Sequence, residues 1–263
     1  MSDDIFRDLL PSHGEKIDPV EMARRDQRKN LPKKFFKEAS AQEIDGGFVL
    51  ALDGRPARTP GRNPLATPSR TLTEAMAAEW NAQGEFIDPA TMPITRIVNS
   101  ALDGVASEMD AVAAEIVKYA GSDLLVYRAG DPPALVAEQS AAWDPIIAWA
   151  REELVARFVL AEGVMFVDQP EHVGPAIAAA VAAAAGGSPL RLGALHVMTT
   201  LSGSALLALA VARGRLTPAE AWGAAHVDED FQIRGWGEDS EAAARRAKRW
   251  TEMEAAARVV SLL

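Results

Sequence analysis

From Leu192 to Ala212 the chain runs for 21 residues without a formal charge, and such a stretch has to leave water. Its length meets the requirement for crossing a bilayer, about 20 apolar residues. Its composition argues otherwise: His196, Thr199, Thr200, Ser202, Gly203 and Ser204 crowd the middle, where a lipid-facing helix is most apolar. The expectation is therefore a central, buried helix of a helical bundle, its small residues allowing neighbouring helices to approach closely. Ser188-Pro189 offers an N-cap and a first-turn proline, so the pattern predicts one long helix from there to Arg213.

A bundle needs partners for that helix, and the chain beyond Ser69 supplies them. Ser69 or Thr71 caps a helix to Gln83, and Thr71 with Glu74 forms a capping box. A short helix follows near Ile94–Leu102, and Ser107 caps one ending near Ala120. Pro133 opens a helix to about Trp143, and Asp144-Pro145 restarts the chain toward Arg157. Phe158 to Asp168 is less regular. An Ala-rich helix over 174–185 stops at Gly186-Gly187, and Asp239 or Ser240 caps the last helix. Ahead of these, residues 35–67 have a different texture. Phe48, Leu50 and Leu52 alternate with Val49 and Ala51, while Asp45-Gly46 and Asp53-Gly54 are turn signals. The fold class read from this order is α+β: a small β-containing domain over 30–103, then a larger all-helical domain over 104–263. Residues 1–29 read as a polar tail or loosely packed helix.

Thr217 to Gly237 combines strong framing with an unusual interior. Thr217 is an N-cap, Pro218 suits the first helical position, and Glu220 completes a capping box. Read as one helix, this segment places Trp222, Ala225, Glu229 and Ile233 along a single stripe. Glu229 then interrupts an apolar face, with Asp228 and Asp230 directed to other sides. A carboxylate so placed is either paired internally or an acidic contact for a partner.

Chemistry is easier to exclude than to find. The formal net charge is −10, against a general nucleic-acid binder, which needs a basic surface. There is no cysteine, hence no disulfide, thiolate nucleophile or Cys-based metal site. His13, His172, His196 and His226 show no metal-ligand spacing, and neither a phosphate-binding loop nor a G-x-S-x-G elbow occurs. No catalytic residue, metal or cofactor is expected. The N-terminal residues have acids early and no apolar core, so they read as neither a secretory signal nor a transit peptide. The expected location is the bacterial cytoplasm, without stable membrane insertion. Two features remain open. Arg55, Arg58 and Arg62 lie on a stiff Pro- and Gly-rich turn that is a solvated hairpin, a protein contact or an anion site. Trp80, Trp143, Trp149 and Trp236 are core residues or, where exposed, interface anchors.

Taken together, DGRPARTP (53–60), Glu79-Trp80, MPITRIVNSALD (92–103), WDPIIAW (143–149) and DEDFQIRGWG (228–237) resemble the ATP-twelve family, assembly chaperones for the alpha subunit of the F(1) part of ATP synthase. The segments stand in the same order, over about residues 30–240. The resemblance implies a two-domain α+β protein that binds free alpha subunit and gives way to the beta subunit. The family's helix tryptophan matches Trp80, and its acid before an aromatic-Gln pair matches Glu229 before Phe231-Gln232, with Asp228 and Asp230 flanking it. The partner-binding set is then Glu229, Asp228, Asp230, Trp222, Arg55 and Arg58, on a monomer. The alternative is a small-molecule enzyme using Arg55, Arg58 and Arg62 as an anion site with a helical carboxylate.

Overall fold

The structure is a computed structural model that describes residues 31–163 and 165–263. The expectation for residues 1–29 lies outside them. Two compact units separate. In the smaller, residues 31–35 meet 83–88: the Lys34 N–H donates to the Glu85 carbonyl at 2.8 Å and that of Ile87 to Pro32 at 2.9 Å. The larger holds 36–82 and 89–263.

Within the larger unit, strands come first. β1 (Ala39–Ile44) and β2 (Gly47–Leu52) form an antiparallel hairpin across Asp45-Gly46, with Ile44 opposite Gly47. β3 (Arg55–Pro56) and β4 (Ala66–Thr67) both pair with β2. Gly47 admits no side chain, since a Cβ there would lie 2.5 Å from the Thr67 carbonyl oxygen. Val49, Leu50, Ala51 and Leu52 are all buried, so β2 is covered on both faces and its alternation is not the one-sided pattern of an open sheet. Helix α1 (Arg70–Asn81) packs against β1 and β2, and the Ser69 hydroxyl caps it by accepting from the Leu72 N–H.

The rest is helical: α2 (Pro93–Asp103), α3 (Met109–Gly121), α4 (Pro133–Glu153), α5 (Val173–Ala185), α6 (Pro189–Ser202), α7 (Ala205–Ala212), α8 (Pro218–Ala225), α9 (Val227–Trp236) and α10 (Ser240–Ser261). A two-residue parallel ribbon, β5 (Tyr127–Arg128) with β6 (Ala161–Glu162), interrupts them. The fold is α+β, as the order of patterns implies. None of the helices of the described residues is long and apolar enough to cross a membrane.

Three predicted helices end differently, each for a local reason. The uncharged stretch is two helices, because Gly203 turns left-handed at φ 71°, where glycine carries no Cβ penalty. Ser204 then caps α7 by accepting from the Leu207 N–H at 3.0 Å. The buried Asp123 carboxylate, from the α3–β5 connection, adds a bond from the Leu206 N–H at 3.1 Å. Burial is as expected: Leu206, Leu207 and Leu209 are fully enclosed. By contrast, Pro145 does not restart a helix but stays inside the continuous α4. The Thr217 helix breaks at His226, leaving α8 and α9. In an unbroken helix the Trp222 carbonyl accepts from the residue 226 backbone N–H; here the His226 ring Nδ1 takes that carbonyl at 2.7 Å. The His226 backbone N–H turns to Gly223 instead, at 3.1 Å.

Candidate functional site

The Thr217 capping box is present, with the Glu220 carboxylate accepting from the Thr217 N–H at 2.7 Å. The break at His226 then redirects the acids beyond it. Glu229 does not sit on a buried stripe: it starts the exposed side of α9, its side chain 57% accessible. Its neighbours are the acids with internal work. Asp228 accepts from the Gln139 amide of α4 at 2.7 Å, and Asp230 pairs with Arg246 of α10, which pushes that guanidinium's pKa up.

His226 explains why Glu229 is not fixed from beneath. The imidazole is buried, and burial pushes its pKa down, favouring the neutral ring. The Trp222 carbonyl only accepts, so the single ring proton sits on Nδ1. Nε2 therefore faces Glu229 as a lone pair, and the 3.9 Å separation is not a hydrogen bond.

Between α9 and α10 lies an open cleft of about 370 Å³ whose walls include Glu229, Ile233, Trp236, Ala243, Arg246 and Arg249. Trp236 ends α9 with 88% of its surface in water. Below the cleft Trp222 is buried, its ring 4.0 Å from that of His226 and 5.7 Å from that of Trp250. Arg249 lies over Trp222 at 5.9 Å and donates to the Leu201 carbonyl at 2.6 Å. Trp222 thus supports the surface from inside. Arg246, Arg249 and Trp250 were not singled out from the sequence; α10 shows only a charged face there, and nothing local reveals what it faces.

The other tryptophans sort by burial. Trp143 and Trp149 are core; the Trp143 Nε1–H donates to the Ala224 carbonyl at 2.7 Å and Arg128 lies 5.2 Å over its ring. Trp80 is half-buried, its ring 5.6 Å from Phe36.

The Arg-rich turn is a stapled hairpin loop. Asp103 of α2 accepts from the Thr59 hydroxyl at 2.5 Å, the Gly61 N–H at 2.8 Å and the Asn63 amide at 2.8 Å, which holds its pKa down. Arg58 donates to the Arg62 carbonyl at 2.8 Å, closing the loop on itself, and Arg55, Arg58 and Arg62 are exposed. Glu79 plays a similar part for α2: its carboxylate accepts from the N–H groups of Ile94 and Thr95, each at 2.8 Å, capping that helix. Burial pushes its pKa up.

The five sequence segments thus join in two groups. The 53–60 turn and Glu79 both bond to the 92–103 helix, and α4, bearing 143–149, holds α8 and α9. Among the described residues no three His, Asp or Glu converge as a metal-holding group. What the α9–α10 corner offers is adsorption: an exposed indole, an exposed carboxylate and fixed arginines.

Comparison with known proteins finds relatives described as chaperones. Residues 33–151 match the family model described as ATP12 chaperone protein, which takes in four of the five segments. A structure from Agrobacterium tumefaciens, of a protein described as a candidate chaperone, is 48% identical, with a TM-score of 0.85 over 93% of this chain and 91% of that one. Atp12 from Paracoccus denitrificans is 43% identical, with a TM-score of 0.81 over 88% of this chain and 98% of that one. An aspartate-to-lysine variant of the same Paracoccus protein superposes equally well, over 97% of its length.

Proposed function

This chain belongs to the ATP12 chaperone family, and from that premise we propose that the client it holds is the unassembled alpha subunit of F(1) ATP synthase. Before the beta subunit arrives, an alpha subunit exposes apolar surface that is otherwise buried, and such a patch invites aggregation. A chaperone that covers it needs an adaptable apolar contact and a few charges for selectivity. The observation that carries the reading is Trp236, 88% exposed at the end of α9, beside Glu229 and the arginines of α10. An exposed indole gains much by burial and is the commonest kind of interface anchor. Asp228 and Asp230 hold α9 in place while Glu229 meets a basic or donor group of the client. Arg55 and Arg58 add a second, peripheral contact.

On this reading the protein is not an enzyme. It acts as a monomer in the bacterial cytoplasm, without nucleotide, and yields its client to the beta subunit by competition. The experiment is light scattering of denatured alpha subunit diluted into buffer with the chain present. Suppression without nucleotide, reversed by excess beta subunit, supports the proposal. Suppression that requires ATP, or none at all, overturns it.

A further inference from the structure

The connection from α4 to α5 carries an unusual concentration of apolar surface in water: Val155, Val159, Leu160, Met165 and Phe166 are all exposed. It begins at a strained point. Val155 adopts φ 58° just past the end of α4, a left-handed conformation costly for a β-branched residue, and the Ala156 N–H reaches back to the Ala150 carbonyl at 3.0 Å.

Beyond that point the backbone is pinned on one side at every second residue. The Arg157 N–H donates to His172 Nε2 at 3.3 Å. The Gln169 amide grips Val159 at both main-chain groups, accepting from its N–H at 2.9 Å and donating to its carbonyl at 3.0 Å. Ala161 lies opposite Tyr127 in the parallel ribbon, and the Gly163 N–H donates to the Arg128 carbonyl at 2.8 Å. Bonds at 157, 159, 161 and 163 have the period of an extended strand. By the same alternation the main-chain groups of Phe158, Leu160 and Glu162 point to the opposite side, with Leu160 and Glu162 exposed. The result is a segment that is strand only at Ala161–Glu162 and is pinned by side chains before it. Its outer main-chain groups are uncovered, as at a sheet edge, which proteins normally blunt with lysine, proline or a covering element.

We propose that residues 157–163 are a docking edge onto which an extended client segment, alternating apolar with basic residues, adds as a further strand. The main-chain groups at 158, 160 and 162 supply hydrogen bonds without regard to sequence, and Val159, Leu160 and Phe166 supply apolar contact. The charge preference follows from the connection itself: Glu152 and Glu153 are paired with Arg151 and Arg215, which leaves Glu162, Asp168 and Glu171 against Arg157. The same excess of acids sets two copies of this edge against each other. The inference rests on the reading of the protein as a holder of unassembled alpha subunit, whose incompletely paired segments would present such strands.

Two probes separate failure of this inference from failure of that reading: purified alpha subunit, and a synthetic ten-residue peptide of alternating valine and lysine. Each is added to the full-length chain and amide hydrogen exchange is followed residue by residue. The expected result is new protection at Phe158, Leu160 and Glu162 with both probes. Leu160→Pro, which removes one outward N–H and none of the inward ones, should weaken capture of both about tenfold, the loss of one or two main-chain bonds. Leu160→Lys keeps the backbone and should weaken them similarly by repelling the basic segment, so the test survives if the proline variant misfolds. Protection with the peptide but no capture of alpha subunit would leave the edge standing and sink the client assignment. Alpha-subunit capture without protection at these amides, or at full strength in a stably folded Leu160→Lys variant, would overturn the edge. Protection that rises with protein concentration alone would assign it to a second copy and overturn the proposal as well.

Discussion

The Arg-rich hairpin loop and the α9–α10 corner are both short, charged and exposed, yet they end in opposite states. In the hairpin loop one carboxylate, Asp103, gathers Thr59, Gly61 and Asn63, and Arg58 is turned onto the Arg62 carbonyl. Its polar groups are largely spent on its own shape. At the corner the structural bonds go to Asp228 and Asp230, on either side of Glu229, and an indole is left in water beside it. A charged segment that satisfies itself is architecture; one that leaves a large apolar group and an unfixed charge together is what the proposed function takes as its contact surface.

The comparison breaks most drastically if its frame is removed. Trp143 is buried and holds the α8 end through the Ala224 carbonyl. Trp143→Ala should cost about 3–5 kcal/mol, as large aromatic truncations in cores do, and calorimetry should show client capture falling only with the folded fraction.

Next in size is Asp123, wholly buried, its carboxyl pushed up to about 6 by burial despite bonds from Ser204, Leu125 and Leu206. A folded carboxyl that holds its proton more tightly than the unfolded one, near 3.9, contributes stability fully present below the unfolded value and lost as pH rises through about 6. The wild-type chain should therefore lose roughly 2–3 kcal/mol of this contribution between pH 4 and pH 7. Asp123→Asn should remove that slope while destabilising the chain at neutral pH, since its amide nitrogen would meet a backbone N–H. Urea titrations of both proteins across that range measure it.

Smaller still is the hairpin itself. Asp103→Ala should loosen residues 58–63, seen as faster proteolysis there and a slightly lower melting temperature, with client capture little changed. Because the Asp103 pKa is held down, its contribution in the wild type is present at neutral pH and fades as pH falls through that lowered value. If Asp103→Ala abolished capture without unfolding the chain, the hairpin would be a principal contact, and the contrast with the corner would fail.

Most of the frame was legible because caps and turns are local. The Thr217–Glu220 box, the Asp239 cap and the Asp45-Gly46 turn are each settled within a few residues. The breaks at Gly203 and His226 were not legible. Both sit in runs that satisfy a helix pattern; at Gly203 a left-handed turn with the Ser204 cap is braced by the distant Asp123 carboxylate, and at His226 a ring takes a backbone carbonyl. That second break moved Glu229 from an expected apolar stripe to an open surface. The identities of the acids were legible; their division of labour was not, because it depends on Gln139 and Arg246, which lie on α4 and α10.

Glu229 is the residue of this corner whose charge is left for a partner. The decisive measurement pairs thermal unfolding with alpha-subunit capture for Glu229→Lys. With its side chain 57% exposed and no hydrogen bond to His226, the substitution should leave the melting temperature nearly unchanged, as surface changes do. Capture should fall by an amount worth several kcal/mol, the usual cost of like charges brought together at an interface. A Lys variant that folds normally and captures alpha subunit as well as the parent would contradict the assignment of this corner as the binding surface.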